Sequence, residues 1–135
     1  MKPYPPGLPC WAPGAADYLA SMLAGTEIVF EWGSGASSMW LAPQVLRLHV
    51  VEHDSGWAHK VAEQCAEFGN VNVHLRPFSD PLYVNALANL ERAPQPHVWL
   101  IDGYQRIKCL AYVLERAEFD DIIACDDALD YWERV

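Results

Sequence analysis

The sequence predicts an α/β domain, a doubly wound, mainly parallel sheet of about five strands with helices on both faces. Three observations carry this prediction. Five short apolar runs alternate with segments of helical period. The first run breaks into a glycine turn before the next helix. Acids stand at the carboxyl ends of the first, second, fourth and fifth runs: Glu31, Glu52, Asp102, and Asp126 with Asp127. In an open parallel sheet that edge is where ligands bind.

Residues 1–14 hold five of the ten prolines, which forbids regular helix and reads as an extended arm, with Tyr4 and Trp11 available to pin it. Residues 15–135 read as a single domain. Tyr18, Leu19, Met22 and Leu23 have helical spacing over Ala15–Leu23, and Gly25 stops that helix. Ile28, Val29 and Phe30 make the first strand, which runs into Glu31-Trp32-Gly33-Ser34-Gly35. Gly33 and Gly35 let the backbone turn sharply and approach a ligand, and the helix opening at Ser37 offers free N–H groups. That helix runs toward Val45 and ends at Pro43.

Leu46–Val51 is the second strand, ending in Glu52-His53-Asp54. An acid about 20 residues beyond the first glycine, at a strand tip, is placed to accept hydrogen bonds from both hydroxyls of a ribose. Ser55–Phe68 follows as a helix with Trp57, Val61, Cys65 and Phe68 on one face, closed by Gly69-Asn70. Val71–Leu75 is the third strand and leads into the loop Arg76–Asp80. A helix is expected over Asp80–Glu91 around Leu82, Tyr83, Leu87 and Leu90, with Pro81 in its first turn. His97–Ile101 is the fourth strand, Ile107–Arg116 a helix with Ile107, Leu110, Ala111 and Leu114 inward, and Phe119–Cys125 the fifth strand.

Composition narrows the function. The chain has 135 residues, 52% hydrophobic, and a net charge of −9 with only 9 Lys and Arg, which argues against nucleic acid as partner because phosphate binding needs a basic footprint. Cys10, Cys65, Cys109 and Cys125 have no C-x-x-C spacing and read as free thiols of a reducing, cytoplasmic setting. No run approaches the length of a membrane span. His49, His59, His74 and His97 lack ligand spacing and read as structural residues. A dinucleotide site is disfavoured, since Ser38 replaces the third glycine of G-x-G-x-x-G and Glu31 would repel a pyrophosphate, whereas Glu31 suits a ligand carrying an ammonium group.

Four blocks in order, E-W-G-S-G-A-S-S-M-W-L-A, V-V-E-H-D-S-G-W, I-D-G-Y-Q-R-I-K-C-L and A-C-D-D-A, resemble those of the class I S-adenosylmethionine-dependent methyltransferases. The resemblance implies a Rossmann-like sheet of order 3-2-1-4-5 and S-adenosylmethionine as cofactor. It assigns that cofactor to Glu31, Gly33, Ser34, Gly35 and Ser37 around the glycine turn, Glu52 and His53 after the second strand, Phe78 and Ser79 after the third, and Asp102. The implied activity is methyl transfer to a small molecule; the alternative is a binding or scaffold protein that keeps the fold without turnover.

Two mechanisms follow. In one, Asp102 or His53 positions or deprotonates the acceptor and Arg106 anchors an acidic substrate. In the other, Asp102, Asp126 and Asp127 hold Mg²⁺, as similar acids do in catechol-type relatives, although an N-cap for the last helix is the favoured reading of Asp126-Asp127. The resemblance departs in two places: no C-terminal antiparallel hairpin follows the fifth strand, and no N-P-P-Y-type motif follows the fourth. The fifth strand is then an edge, to be managed either by a covering tail or by a partner subunit in a homo-oligomer.

Overall fold

A computed structural model describes residues 9, 11–79, 81–88, 90 and 97–126. The order of elements is α1 (Ala15–Met22), β1 (Ile28–Trp32), α2 (Ala36–Leu41), β2 (Arg47–Glu52), α3 (Ser55–Cys65), β3 (Val71–Leu75), β4 (His97–Ile101), α4 (Arg106–Arg116) and β5 (Ile122–Cys125), with single 3₁₀ turns at Ala42–Gln44 and Ala66–Phe68. All strand pairs are parallel and the sheet order is β3-β2-β1-β4-β5. Both the doubly wound class and the order expected from the resemblance are met.

The apolar runs of β1, β2 and β4 are continuous because both faces of the sheet are covered. Val29, Leu48, Val50, Val98 and Leu100 pack against Leu19 of α1 and Leu41 of α2. On the opposite face Phe30, Trp32, Val51, Trp99 and Ile101 meet Cys109, Tyr112 and Val113 of α4 and Tyr83, Val84 and Leu87 of the preceding segment. Aromatic rings fill this second layer edge to face, Phe30 against Trp99 at 4.9 Å and Trp32 against Tyr112 at 5.8 Å between centroids.

Three local expectations are corrected. Residues 81–88 form successive turns instead of a helix. Their amides switch from partners four residues back, as Asn85 to Pro81, to partners three back from Ala86 to Tyr83 onward, so no helical ladder propagates. In α4 the buried positions are Cys109, Tyr112 and Val113, whereas Leu114 is exposed. β5 begins at Ile122, because Asp121 caps the turn before it, accepting from the Glu118 and His97 amides, and leaves Phe119 in solvent. Among the described residues no strand pairs with the outer edge of β5, and no helix is long and apolar enough to cross a membrane.

Candidate functional site

The strands end at different depths, and that difference sorts their acids. Glu52 is the last residue of β2, but Glu31 lies one residue inside β1, between Val50 and Leu100. Glu31 is completely buried. Its Oε2 accepts a hydrogen bond from the Ser37 hydroxyl and its Oε1 one from the Ser38 hydroxyl, both at 2.6 Å. Burial pushes this carboxyl up to about 7, the two serine bonds pull it partly back, and the charges of Asp102 and Glu52 add to the rise. Glu31 and Ser37 therefore brace the start of α2 from behind the glycine turn, and neither lines the cavity in front of it.

That cavity, about 960 Å³, opens at the carboxyl ends of β1, β2 and β4, with Gly33, Ser34, Glu52, Trp57 and Asp102 in its wall. Its size is at the upper end of the roughly 300–1,000 Å³ usual for small-molecule sites. His53, Tyr104 and Arg106 also line it.

Glu52 is nearly buried and its carboxylate is fully engaged. Oε2 accepts from the amides of His53 (2.8 Å) and Asp54 (2.9 Å) and lies 3.2 Å from His53 Nδ1. Oε1 accepts from the Ser34 hydroxyl at 2.5 Å and from the Ser34 amide at 3.3 Å. Asp54 in turn caps α3, accepting from the Trp57 amide at 2.7 Å.

The glycine turn is held from above as well. Trp57, expected on the inward face of α3, is instead half exposed, and its Nε1 donates to the Ser34 carbonyl at 2.8 Å. A Cβ on Gly35 would touch its indole. Gly33 lines the cavity, and its missing side chain has a second use: a Cβ there would come within 2.8 Å of the Gly103 backbone. Its missing side chain lets the turns after β1 and β4 pass each other.

Asp102 follows β4. Burial and then the neighbouring Asp126 carboxyl push it up to about 6, against the opposing pull of Arg106 and Trp11. Trp11 reaches Asp102 through its Nε1 at 3.4 Å while its ring packs on Trp40. Arg106 is committed within the chain: Nε donates to the Gly103 carbonyl (3.0 Å), Nη1 to the Asp126 carbonyl (2.8 Å), and Nη2 lies 3.5 Å from Asp102. It fastens the Asp102-Gly103 turn, so the free fork expected for an acidic substrate is not what the structure presents.

Phe78 and Ser79 are exposed and stand outside the cavity wall. Phe78 joins an aromatic cluster at the mouth, with His53 at 5.7 Å and Tyr104 at 5.3 Å, while His53 and Tyr104 touch at 4.4 Å. The Gln105 side chain ties this cluster together by donating to the Phe78 carbonyl at 2.9 Å. Asp80 and Asp127 lie outside the described residues. Among those described, no group of three or more His, Cys, Asp or Glu is arranged to hold a metal ion, so the Mg²⁺ expectation gains no support. Sequence reasoning missed Trp57 and Tyr104, although each is close in sequence to an acid it did identify.

No protein-family model matches the chain, and no curated protein matches it in sequence. Solved structures do match its fold. An rRNA methylase from Streptococcus thermophilus superposes with a TM-score of 0.65 at 15% identity, covering 90% of this chain and 77% of its own. The O-methyltransferase TomG from Streptomyces achromogenes, involved in tomaymycin synthesis and solved in complex with SAM, gives 0.66 at 23%, covering 91% and 60%. Precorrin 8W decarboxylase from Methanobacterium thermoautotrophicum gives 0.62 at 15%, covering 90% and 63%. The fold is thus that of the class I methyltransferases, and the chain spans between three fifths and four fifths of these three structures.

Proposed function

We propose that the protein binds S-adenosylmethionine and transfers its methyl group to a small-molecule acceptor. The observation that carries this reading is Glu52, a carboxylate at the tip of β2 that faces a cavity walled by a glycine turn, within a class I methyltransferase fold. The residues present fit the cofactor: Glu52 would accept from ribose hydroxyls, the turn Gly33-Ser34 would lie along the methionine portion, and the exposed rings of Phe78 and Tyr104 would flank the adenine. When bound, S-adenosylmethionine supplies an electrophilic methyl group.

The chain's own part is to position and to move one proton. Asp102, whose carboxyl burial and Asp126 push up to about 6, is suited to take a proton from an acceptor hydroxyl, with His53, also in the cavity wall, as the other candidate base. Arg106 keeps the Asp102 turn rigid. Net charge −9 favours a small acceptor over a polyanion. The rRNA methylase among the similar folds makes RNA the comparison to include.

Calorimetric titration with S-adenosylmethionine and S-adenosylhomocysteine tests the reading. Both should bind in the micromolar range, and Glu52→Gln should weaken both at least about tenfold, the loss of a charge-assisted hydrogen bond. Absence of binding by either compound at millimolar concentration overturns it. Transfer of labelled methyl to total RNA but to no small-molecule pool would overturn the acceptor class alone.

A further inference from the structure

We infer that Ser34 limits ligand affinity, its own hydroxyl filling part of the seat that Glu52 presents to a ribose. The inference rests on the proposed function and goes beyond it, since in the plain reading Ser34 helps to hold the cofactor. An ionised carboxylate offers about four lone-pair directions. On Glu52, Oε2 is committed to the consecutive amides of His53 and Asp54, which the strand end and the α3 cap hold in place. Only Oε1 can exchange partners. Of its two donors, the Ser34 amide is distant at 3.3 Å and the Ser34 hydroxyl close at 2.5 Å.

Trp57 makes that exchange local. Its Nε1 holds the Ser34 carbonyl at 2.8 Å, so the turn does not need to move when the hydroxyl leaves; rotation about χ1 into another staggered well is enough. Ser34 lines the cavity, where its released hydroxyl can be solvated. A ligand bringing one hydroxyl to Oε1 then replaces one hydrogen bond with another and gains little. A vicinal diol does better, because its second hydroxyl can take the Oε1 lone pair to which the Ser34 amide, at 3.3 Å, is only weakly bonded. Ser34 therefore lowers, by the same one hydrogen bond, the affinity of every ligand that must displace its hydroxyl from Oε1, whether that ligand brings one hydroxyl or a diol.

The test compares wild type with Ser34→Ala by calorimetry, using S-adenosylhomocysteine, adenosine and 2′,3′-dideoxyadenosine. Ser34→Ala should bind S-adenosylhomocysteine and adenosine about 3- to 10-fold more tightly, a change of one hydrogen bond to a charged group, and dideoxyadenosine no differently. Equal or weaker binding of S-adenosylhomocysteine by Ser34→Ala overturns the inference and leaves the proposed function standing. An equal gain for dideoxyadenosine also overturns it, because the gain would not run through Glu52. If neither protein binds S-adenosylhomocysteine or adenosine, the proposed function falls and the inference with it. Wild-type protein labelled with ¹⁵N gives a second readout: S-adenosylhomocysteine should shift the Ser34 amide and leave the His53 and Asp54 amides nearly in place, whereas displacement of all three together overturns the exchange.

Discussion

Gly33 and Gly103 cross so closely where β1 and β4 end that neither position has room for a side chain. A Cβ on Gly33 would sit 2.8 Å from the Gly103 Cα, and one on Gly103 would overlap the Tyr83 hydroxyl. Gly33 also has φ +94°, a conformation that favours glycine. Gly33→Ala must therefore strain its own backbone and push against another backbone, neither of which relaxes cheaply. The expected cost is about 2–4 kcal/mol, a fall in Tm of roughly 10 °C. Gly14→Ala is the control, since it combines φ +80° with open space around it, and it should cost only about 1 kcal/mol. Similar melting temperatures for the two variants would show that the crossing carries no strain.

Glu31 predicts a pH dependence. Its folded value of about 7 lies above the ordinary 4.5, so its contribution is fully present below 4.5 and is lost as pH rises through 7. The difference amounts to about 3 kcal/mol for a fully buried carboxyl. Glu31→Gln has no charge to bury and keeps groups that can meet Ser37 and Ser38. Relative to wild type, the variant should gain roughly 3 kcal/mol in urea unfolding between pH 4 and pH 8. A stability difference that stays flat over that interval would mean that Glu31 ionises freely in the fold.

The contrast between Glu31 and Glu52 also marks how far the sequence is legible. The five strands, the glycine turn and the acid at the tip of β2 follow from short apolar runs that stop at polar residues, while the strand order follows from the family resemblance, and all of these are found. Depth does not follow from that pattern. Trp32 extends β1 by a full pairing with Val51 and Ile101, which draws Glu31 into the sheet, and nothing in E-W-G distinguishes this from a strand ending at Phe30. Periodicity likewise places the apolar stripe of α4 one position away from Tyr112, which hides its ring beneath the Arg116 guanidinium at 3.7 Å. Trp57, in register with Val61 and Cys65, reads as core. Its partner is a backbone carbonyl in another loop, which no local pattern announces.

His49 predicts the opposite slope. It is packed beside His74, with Nδ1 3.2 Å from His74 Nε2 and 3.5 Å from the Asn72 amide nitrogen, and edge-on to Phe30. Burial, then His74 and Arg47, lower it from 6.5 to about 4. A base whose folded value is depressed stabilises the fold above its unfolded value, and that stability is lost as pH falls from 6.5 through 4. His49→Gln should flatten this acid limb while leaving stability at pH 8 within about 1 kcal/mol of wild type. Chemical unfolding at pH 4.5, 6 and 8 reads both, and a variant whose acid limb is as steep as wild type would assign the slope to other groups.

Trp57→Phe separates holding the turn from building the fold. The phenyl ring retains a flat surface near Gly35, but the hydrogen bond from Nε1 to the Ser34 carbonyl is gone. With 41% of the residue exposed, thermal stability should change little, by about 0.5 kcal/mol or less. The turn, however, loses its upper tether, and the Gly33-Ser34 wall it presents to the cavity is no longer held in one place. Affinity for S-adenosylhomocysteine should fall about 5- to 10-fold, the loss of roughly one neutral hydrogen bond's worth of preorganisation. Calorimetric titration together with differential scanning calorimetry on the same samples checks both halves. Unchanged affinity with unchanged melting would mean that the turn keeps its shape without Trp57. Lower affinity accompanied by an equal loss of stability would assign the residue to the fold instead of the site.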